Sequence, residues 1–482
     1  MTASKFLDIR PSRRKSKIIT TLGPASFAPE TIRSLVQAGT NVFRLNFSHG
    51  DYAQHLNTLN NIRAVAAESD APVAVMQDLC GPKIRISKIE GDTAVLEDHS
   101  RVELCQGENA LSSASRIYTE AIDPARYLKA GERVLLADGL IELRVLEINH
   151  GIVTCEVVKG GKVLSRQGIA FPESDIDLPA ATGKDMQDLA WGISHGVDYV
   201  ALSFVGCAQD IIRVREAIEH AGSGAQIIAK IERPQALDHI EEILAASDAI
   251  MVARGDLGIN VPLEHVPLIQ RKLIRLANLS GKPVIVATQM LRSMINSTRP
   301  TRAEVTDVTV AVLMGADALM LSEETAMGEH PVACVKYLDS IAAAADAEFD
   351  YERYRLSMHK AESETVPDAV AYAACAAAHK LEAAALIAGT ETGTSARLVA
   401  KYRPERPLYG ATSCAATLRR MALYWGVMPV LTKEFSSRYE QIDLSLAAVA
   451  TKAGLPKGAR IVITSGLAHG AGGTNAMQVR EW

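Results

Sequence analysis

Lys230 and Glu232 stand two residues apart at the end of the apolar run 226–232, and Asp256 follows Arg254 and Gly255 at the end of the next run, 249–254. Side chains two apart on a strand share a face, so an ammonium and a carboxylate point the same way while a second carboxylate arrives from the following strand. Glu232 and Asp256 are hard oxygen donors of the kind that Mg²⁺ or Mn²⁺ takes, with water and substrate oxygens completing the shell. A fixed ammonium beside such an ion stabilises the negative charge of a phosphoryl group in transfer. The competing reading is a charged, solvated loop at a strand end. Three such residues closing apolar runs argue against it, because Lys, Glu and Asp are mostly exposed.

Convergence of these side chains needs a frame. Runs of strand length occupy 17–22, 42–47, 73–79, 199–204, 226–232, 249–254, 283–289 and 318–322, with amphipathic segments such as 29–38, 52–67, 185–195 and 303–314 between most of them. Eight strand–helix units predict an α/β fold of the (β/α)8 TIM barrel type, in which the C-terminal strand ends carry the chemistry. Polar residues collect at those ends: Arg44, Asn46, Ser48 and His49, then Gln77 and Asp78, Ser203, Lys230 and Glu232, Arg254 and Asp256, Thr288 and Gln289, Ser322 and Glu324. A doubly wound open sheet is the second choice, disfavoured because the eighth run follows the seventh without a topological break.

The interval 83–178 breaks the rhythm with short β-type runs at 93–96, 133–136, 141–145 and 152–158, punctuated by Gly and Asp turns. It reads as an all-β insertion in the third strand–helix loop, placed to close over substrate as a lid. Beyond 349, a polar segment, 350–367, leads to an Ala-rich helix, 368–380, and to strands at 385–388, 407–410, 428–431 and 460–464. This is a separate α/β domain. Its first strand opens into Thr390, Glu391, Thr392, Gly393, Thr394 and Ser395, whose hydroxyls and backbone N–H groups can cradle a phosphate, and its last runs into a glycine-rich loop, 469–475. The pair suggests a phosphorylated regulator; ordinary N-cap and turn chemistry is the alternative. The expected division is an N-terminal segment (1–16), a catalytic barrel (17–82 and 178–349), a β-rich lid (83–177) and a C-terminal regulatory domain (350–482).

A chain of 482 residues is too long for one hydrophobic core, and a net charge of -5 gives no overall pull toward nucleic acid or anionic membrane. The seven cysteines are scattered, odd in number and lack a CxxC pair, so neither a disulfide framework nor a zinc site is expected. No apolar run approaches the roughly 18 residues of a membrane span, and residues 1–16 hold no signal-like apolar core, which makes the cytoplasm the expected compartment.

An ordered set of motifs spans almost the whole chain: KIITTLGPAS at 17–26, NVFRLNFSHG at 41–50, GPKIR at 81–85, LPAATGKD at 178–185, AKIE at 229–232, MVARGDLG at 251–258, ATQML at 287–291, PTRAEVT at 300–306 and LSEETA at 321–326. In this order they resemble the pyruvate kinase family. The resemblance implies a barrel with a lid and a C-terminal effector domain, and phosphoryl transfer from phosphoenolpyruvate to ADP, giving pyruvate and ATP. It implies that Arg44 and Ser203 bind substrate, that Gly255 and Asp256 hold its carboxylate, and that Lys230 stabilises the transition state. Thr288 lies on the proton-delivery side, as part of a relay because a threonine hydroxyl is a poor acid. Glu232 and Asp256 take Mg²⁺ or Mn²⁺, and a second divalent ion travels with the nucleotide. His49, Arg85 and Arg166 approach the ADP phosphates; Arg166 stands where the family commonly has lysine.

One departure concerns potassium. Members that need it usually carry Glu at the position of Lys83 and Thr at that of Leu79, the ion being held by residues matching Asn46, Ser48 and Asp78. A tethered Lys83 ammonium could supply that charge, so K⁺ is not expected to be required. Glu391 makes a bisphosphate effector less comfortable than AMP or a sugar monophosphate. The resemblance further implies a homotetramer, with 296–306 as a subunit contact. Ser322 and Glu324 read equally well as support for the barrel mouth or as core capping. Rival readings are a metal-dependent lyase acting on phosphoenolpyruvate or pyruvate enolate, and a catalytically silent sugar-phosphate sensor.

Overall fold

The computed structural model describes residues 14–69, 71–107, 109–174, 176, 178–359, 365–466 and 473–482. Eight parallel strands close into a barrel: β1 (Lys17–Thr21), β2 (Val42–Asn46), β3 (Ala74–Asp78), β4 (Tyr199–Leu202), β5 (Gln226–Ile231), β6 (Ala249–Ala253), β7 (Val284–Ala287) and β8 (Ala318–Leu321). Closure comes from the pairing of β1 with β8, Lys17 opposite Ala318 through Thr20 opposite Leu321. An open doubly wound sheet is thereby excluded. These strands read as almost unbroken apolar runs because helices cover their outer face and side chains fill the inside. Local signals place the helices: Thr182 and Thr301 close capping boxes with Asp185 and Glu304, starting the helices Gly183–Ser194 and Arg302–Leu313.

Strand alternation layers the interior. Ile19, Val42, Met76 and Ile228 belong to one buried cluster inside the barrel. Two residues further along the same strands stand Thr21, Arg44, Asp78 and Lys230, on the same face and one layer nearer the C-terminal rim. The chemistry-bearing residues of β1, β2, β3 and β5 therefore form the upper filling of the barrel.

Between β3 and β4 lies a six-stranded sheet in the order Ile169–Ala170, Arg133–Leu136, Ile141–Asn149, Ile152–Lys159, Arg101–Gln106, Arg116–Thr119, with a two-stranded sheet of Gly161–Leu164 and Thr93–Leu96. It has its own core, including Val102, Leu104, Val134, Leu143 and Val153. The C-terminal sheet runs Val427–Leu431, Leu408–Thr412, Ala385–Gly389, Arg460–Gly466, Thr474–Glu481, the last strand antiparallel. Within the polar segment 350–367, Tyr351–His359 is helical, with Arg355 and Met358 buried.

The barrel floor does not face water. Ile19, Met76 and Tyr199 share one continuous cluster with Ala371, Leu386, Leu423 and Tyr424 of the C-terminal unit, and Tyr199 Oη donates to Arg420 O at 2.6 Å. The seven cysteines are free. Among the described residues, no helix is long and apolar enough to cross a membrane.

Candidate active site

Lys230 is the centre of the upper layer. Its Nζ donates to Ser203 Oγ at 2.6 Å and lies 3.2 Å from Asp78 Oδ1 and 3.1 Å from Glu232 Oε1. The second Asp78 oxygen accepts from Arg44 Nε at 2.5 Å, and Arg44 also reaches Thr21 Oγ1 at 3.1 Å. Arg44 and Lys230 thus share one carboxylate. Only 8% of Lys230 and none of Glu232 is exposed, which rules out a solvated loop.

Burial alone would push Lys230 toward its neutral form, but Asp78 and Glu232 outweigh it and hold the ammonium above the usual lysine range. For Asp78, burial works against the carboxylate while Lys230 and Arg44 overcome it, so its pKa is lowered. Glu232 ends on the other side: burial raises its pKa, the Asp256 charge adds to the effect, and Lys230 compensates only in part.

The loops after β4, β5, β6, β7 and β8 are tied to one another. Phe204 N donates to Glu232 Oε2 at 2.7 Å, and Asn260 Nδ2 bridges Glu232 O and Asp256 O at 3.0 and 2.9 Å. Asp256 sits in the first turn of the short helix Arg254–Asn260. Thr288 and Gln289 have φ of 71° and 55°, a left-handed conformation that a β-branched residue adopts only when its surroundings enforce it. Arg254 supplies that enforcement, donating to Thr288 O at 2.7 Å while Asp307 holds its other arm at 2.7 Å. Gly255 N donates to Thr288 Oγ1 at 2.7 Å; a side chain at Gly255 would be in contact with the Thr288 hydroxyl. Glu324 is buried and accepts from Leu291 N at 3.1 Å and Ser322 N at 2.7 Å, joining the last two loops.

The donor set fits a divalent ion. Glu232 Oε1 is buried and has Lys230 nearby but no well-directed hydrogen bond, while the Asp256 side chain is 28% exposed toward the cleft. Among the described residues no cluster of three His, Cys, Asp or Glu side chains could enclose a metal. Two carboxylates with water and substrate oxygens completing the shell is the pattern of a magnesium site that serves a phosphorylated substrate.

The β-rich unit overhangs this rim. A cleft of about 430 Å³ is lined by Asp256, Thr288 and Ser322 from the barrel and by Asp138 and Leu140 from the overhang. Lys83 Nζ lies 3.2 Å from Asp256 Oδ1 and 4.0 Å from Asp138 Oδ1, linking the two sides. Of the potassium-region residues, Asn46 Oδ1 accepts from Ser48 N at 3.2 Å, Asp78 pairs with Arg44 and Lys230, and Leu79 is buried in the core. Lys83 is directed to Asp256 instead of toward that group. Arg85 and Arg166 are both exposed and are brought together, Arg85 NH1 donating to Arg166 O at 3.2 Å. His49 is exposed on the loop after β2.

In the C-terminal unit, Gly393 N donates to Thr390 Oγ1 at 2.9 Å, Thr392 and Thr394 share a hydrogen bond of 3.0 Å, and Ser395 bonds Thr474. Arg438 NH1 reaches Glu391 Oε1 at 3.2 Å, offsetting the loop's negative charge. Residues 467–472 of the facing glycine-rich loop lie outside the described residues.

Asp307, Asn260 and Arg438 were not singled out from the sequence, and Arg254 was named only as a polar residue at a strand end, without a role. Arg254 stood inside a motif already marked, beside Asp256, and its adjacency was the only signal available.

Comparison with known proteins agrees with this architecture. The family model described as "Pyruvate kinase, barrel domain" matches residues 13–335, and "Pyruvate kinase, alpha/beta domain" matches residues 368–480. The chain is 41% identical over 479 residues to "Pyruvate kinase 2" of Synechocystis, covering 97% of this chain and 79% of the relative. It is 37% identical over 465 residues to "Pyruvate kinase" of Clostridium acetobutylicum, covering 96% and 98%, and 40% identical over 475 residues to "Pyruvate kinase" of Geobacillus stearothermophilus, covering 97% and 80%. A barrel rim built around a buried, carboxylate-held lysine and matches that run through both family models lead to one conclusion: the chain belongs to the pyruvate kinase family.

Proposed function

We propose that the protein is a phosphotransferase that moves the phosphoryl group of phosphoenolpyruvate to ADP, giving pyruvate and ATP, and that it works in the cytoplasm. The observation that carries this reading is the buried Lys230 ammonium, held by Asp78, Glu232 and Ser203 at the rim of the barrel. The P–O bond to the enol oxygen breaks, a P–O bond to an ADP phosphate oxygen forms, and the enolate left behind takes a proton on carbon. Arg44 holds the phosphoryl oxygens and Lys230 opposes the charge that spreads over them in a loose transition state. Glu232 and Asp256 are the ligands for Mg²⁺ or Mn²⁺. That ion, when bound, would supply positive charge to offset the negative charge of the substrate.

The amides of Gly255 and Asp256, at the start of a helix, receive the substrate carboxylate, and Ser203 keeps Lys230 aimed. Thr288, in a turn fixed by Arg254, passes a proton toward the enolate through water. His49, Arg85 and Arg166 hold the ADP phosphates, with a second divalent ion arriving on the nucleotide. The rim over which residues 83–177 hang excludes water when that unit closes as a lid on the barrel of 17–82 and 178–349. A lyase makes no use of the Arg85 and Arg166 pair, and a silent sensor has no need of a charged barrel interior.

Potassium is not required in this reading, because Lys83 brings a permanent cation to the cleft. The region of Thr390, Thr392, Gly393, Thr394 and Ser395, within 350–482, binds AMP or a sugar monophosphate, and the enzyme acts as a homotetramer with 296–306 at a subunit contact. Ser395→Asp is expected to abolish activation; unchanged activation in that variant counts against the effector site. The deciding experiment is pyruvate formation from phosphoenolpyruvate, ADP and Mg²⁺, with and without K⁺, for the wild type beside Lys230→Met. Turnover in the first and collapse in the second support the reading. A wild type inactive in both salts, with AMP and sugar phosphates supplied, sinks it.

A further inference from the structure

We propose that Arg403, far below the rim in the C-terminal unit, is a positioning residue for this reaction: through Asp317 it fixes the roots of β7 and β8, and with them the placement of Thr288. The proposal rests on the phosphotransferase reading above and adds to it a residue that touches no substrate.

Arg403 is among the largest fully buried side chains, 1% exposed, and leaves the backbone at φ 46° just beyond the helix Thr394–Lys401. Its NH1 donates to Asp317 Oδ1 at 2.7 Å, and its NH2 donates to Gly315 O at 2.8 Å and Asn278 Oδ1 at 3.1 Å. The guanidinium lies 4.7 Å from the ring centre of Trp425 and 5.8 Å from that of Tyr354. A fork bonded along both arms and stacked on an indole has essentially one position.

Asp317 spends everything else on the barrel. Its Oδ2 accepts from Val284 N at 2.9 Å, its amide donates to Val284 O at 2.9 Å, and its carbonyl accepts from Lys17 N at 2.8 Å. One buried pair therefore sets where β1, β7 and β8 begin. From Val284 the strand runs four residues before Thr288, all buried and all paired with β6, the last three paired with β8 as well. At a strand rise of about 3.3 Å per residue the root and the turn are roughly 13 Å apart, with no loop between them to absorb a shift. At the upper end Thr288 and Gln289 occupy a backbone conformation with little tolerance, pinned by Arg254 and Gly255. A displacement at the root arrives where geometry matters most.

A clamp that merely joins two domains is the competing account, and kinetics separate the two. The full-length protein would be prepared as wild type, Asp317→Asn, Arg403→Lys, Arg403→Met and the Asp317→Asn/Arg403→Met double variant. Asp317→Asn keeps an oxygen for Val284 N while losing the charge that Arg403 needs. Turnover would be measured beside hydrogen–deuterium exchange at the methyl carbon of pyruvate in D₂O, which reports proton transfer without phosphoryl transfer. The expected result is a joint fall of kcat and exchange by about tenfold, with KM for phosphoenolpyruvate within about twofold. The double variant falls no further than the worse single one, and Arg403→Lys recovers part of the loss. Variants that melt earlier yet turn over and exchange like wild type, per folded molecule, overturn the proposal and leave the phosphotransferase standing. A wild type without turnover overturns both.

Discussion

The Thr288 hydroxyl is engaged in both directions: it accepts the Gly255 amide at 2.7 Å and donates to Ala287 O at 2.6 Å. A substrate carboxylate that takes the Gly255 amide must draw it away from Thr288 and free the Oγ1 lone pair to accept a hydrogen bond from a water in the cleft. Thr288→Val keeps the shape and removes the hydroxyl, so kcat is expected to drop by about 10²-fold, within the range of a positioned proton-transfer group. Thr288→Ser should stay within roughly tenfold of wild type. Equal rates for Val and Ser, measured at saturating substrate, would remove the hydroxyl from the mechanism.

Lys230→Met leaves Asp78 and Glu232 facing each other in a dry interior. Losing one partner of a buried ion pair costs about 3–5 kcal/mol, and the expected melting temperature of the variant is correspondingly lower. Mn²⁺ should restore part of the loss, because a divalent ion replaces the missing charge. Adding Asp78→Asn should restore another part. Thermal unfolding with and without MnCl₂ checks both; a variant as stable as wild type and indifferent to the metal contradicts the charge balance described.

Lys83 offers a separate test in steady-state rates. Wild type is expected to turn over equally in sodium and potassium buffers, whereas Lys83→Met should be at least about tenfold slower in sodium, as expected for loss of a cation next to a reacting phosphoryl group. Potassium should recover part of that loss. A variant that behaves alike in both salts separates Lys83 from the monovalent-cation question.

Lys15 predicts a pH dependence of stability. Burial lowers its pKa from the ordinary 10.5 to about 8, against the opposing pull of Asp346 and Glu405. The unfolded chain then holds more protons than the folded one between those two values, so stability rises with pH across that window, by at most about 3 kcal/mol. The difference in melting temperature between wild type and Lys15→Met should therefore shift in favour of wild type from pH 7 to pH 10. A constant difference would show that the lysine titrates as an exposed one.

Much of this was legible because strand periodicity is short-ranged. Lys230 and Glu232 announce their shared environment by being two apart at the end of an apolar run, and eight such runs leave few ways to close a sheet. Weaker patterns were not read as strands. Arg101–Gln106 and Arg116–Thr119 mix charge with alternation, and Thr474–Glu481 is an edge strand with one side in water. Tyr351–His359 looks like a linker because charge surrounds its few buried positions. Partnerships across the chain leave no local trace at all. Asp78, read as part of a potassium region, is the shared counter-ion of Arg44 and Lys230, and Arg403 meets Asp317 only because two folded units are stacked.

The unbroken apolar cluster that runs from Ile19 and Met76 through Tyr199 into Leu386 and Tyr424 has a practical meaning for anyone dissecting the chain. A piece ending near residue 350 would carry an intact rim but an open, greasy base, and would seek cover from copies of itself. Its insolubility would report on the exposed base and say nothing about whether the rim is competent. Conversely, heat should melt barrel and C-terminal sheet in one step, because neither can lose its structure without stripping the other's floor.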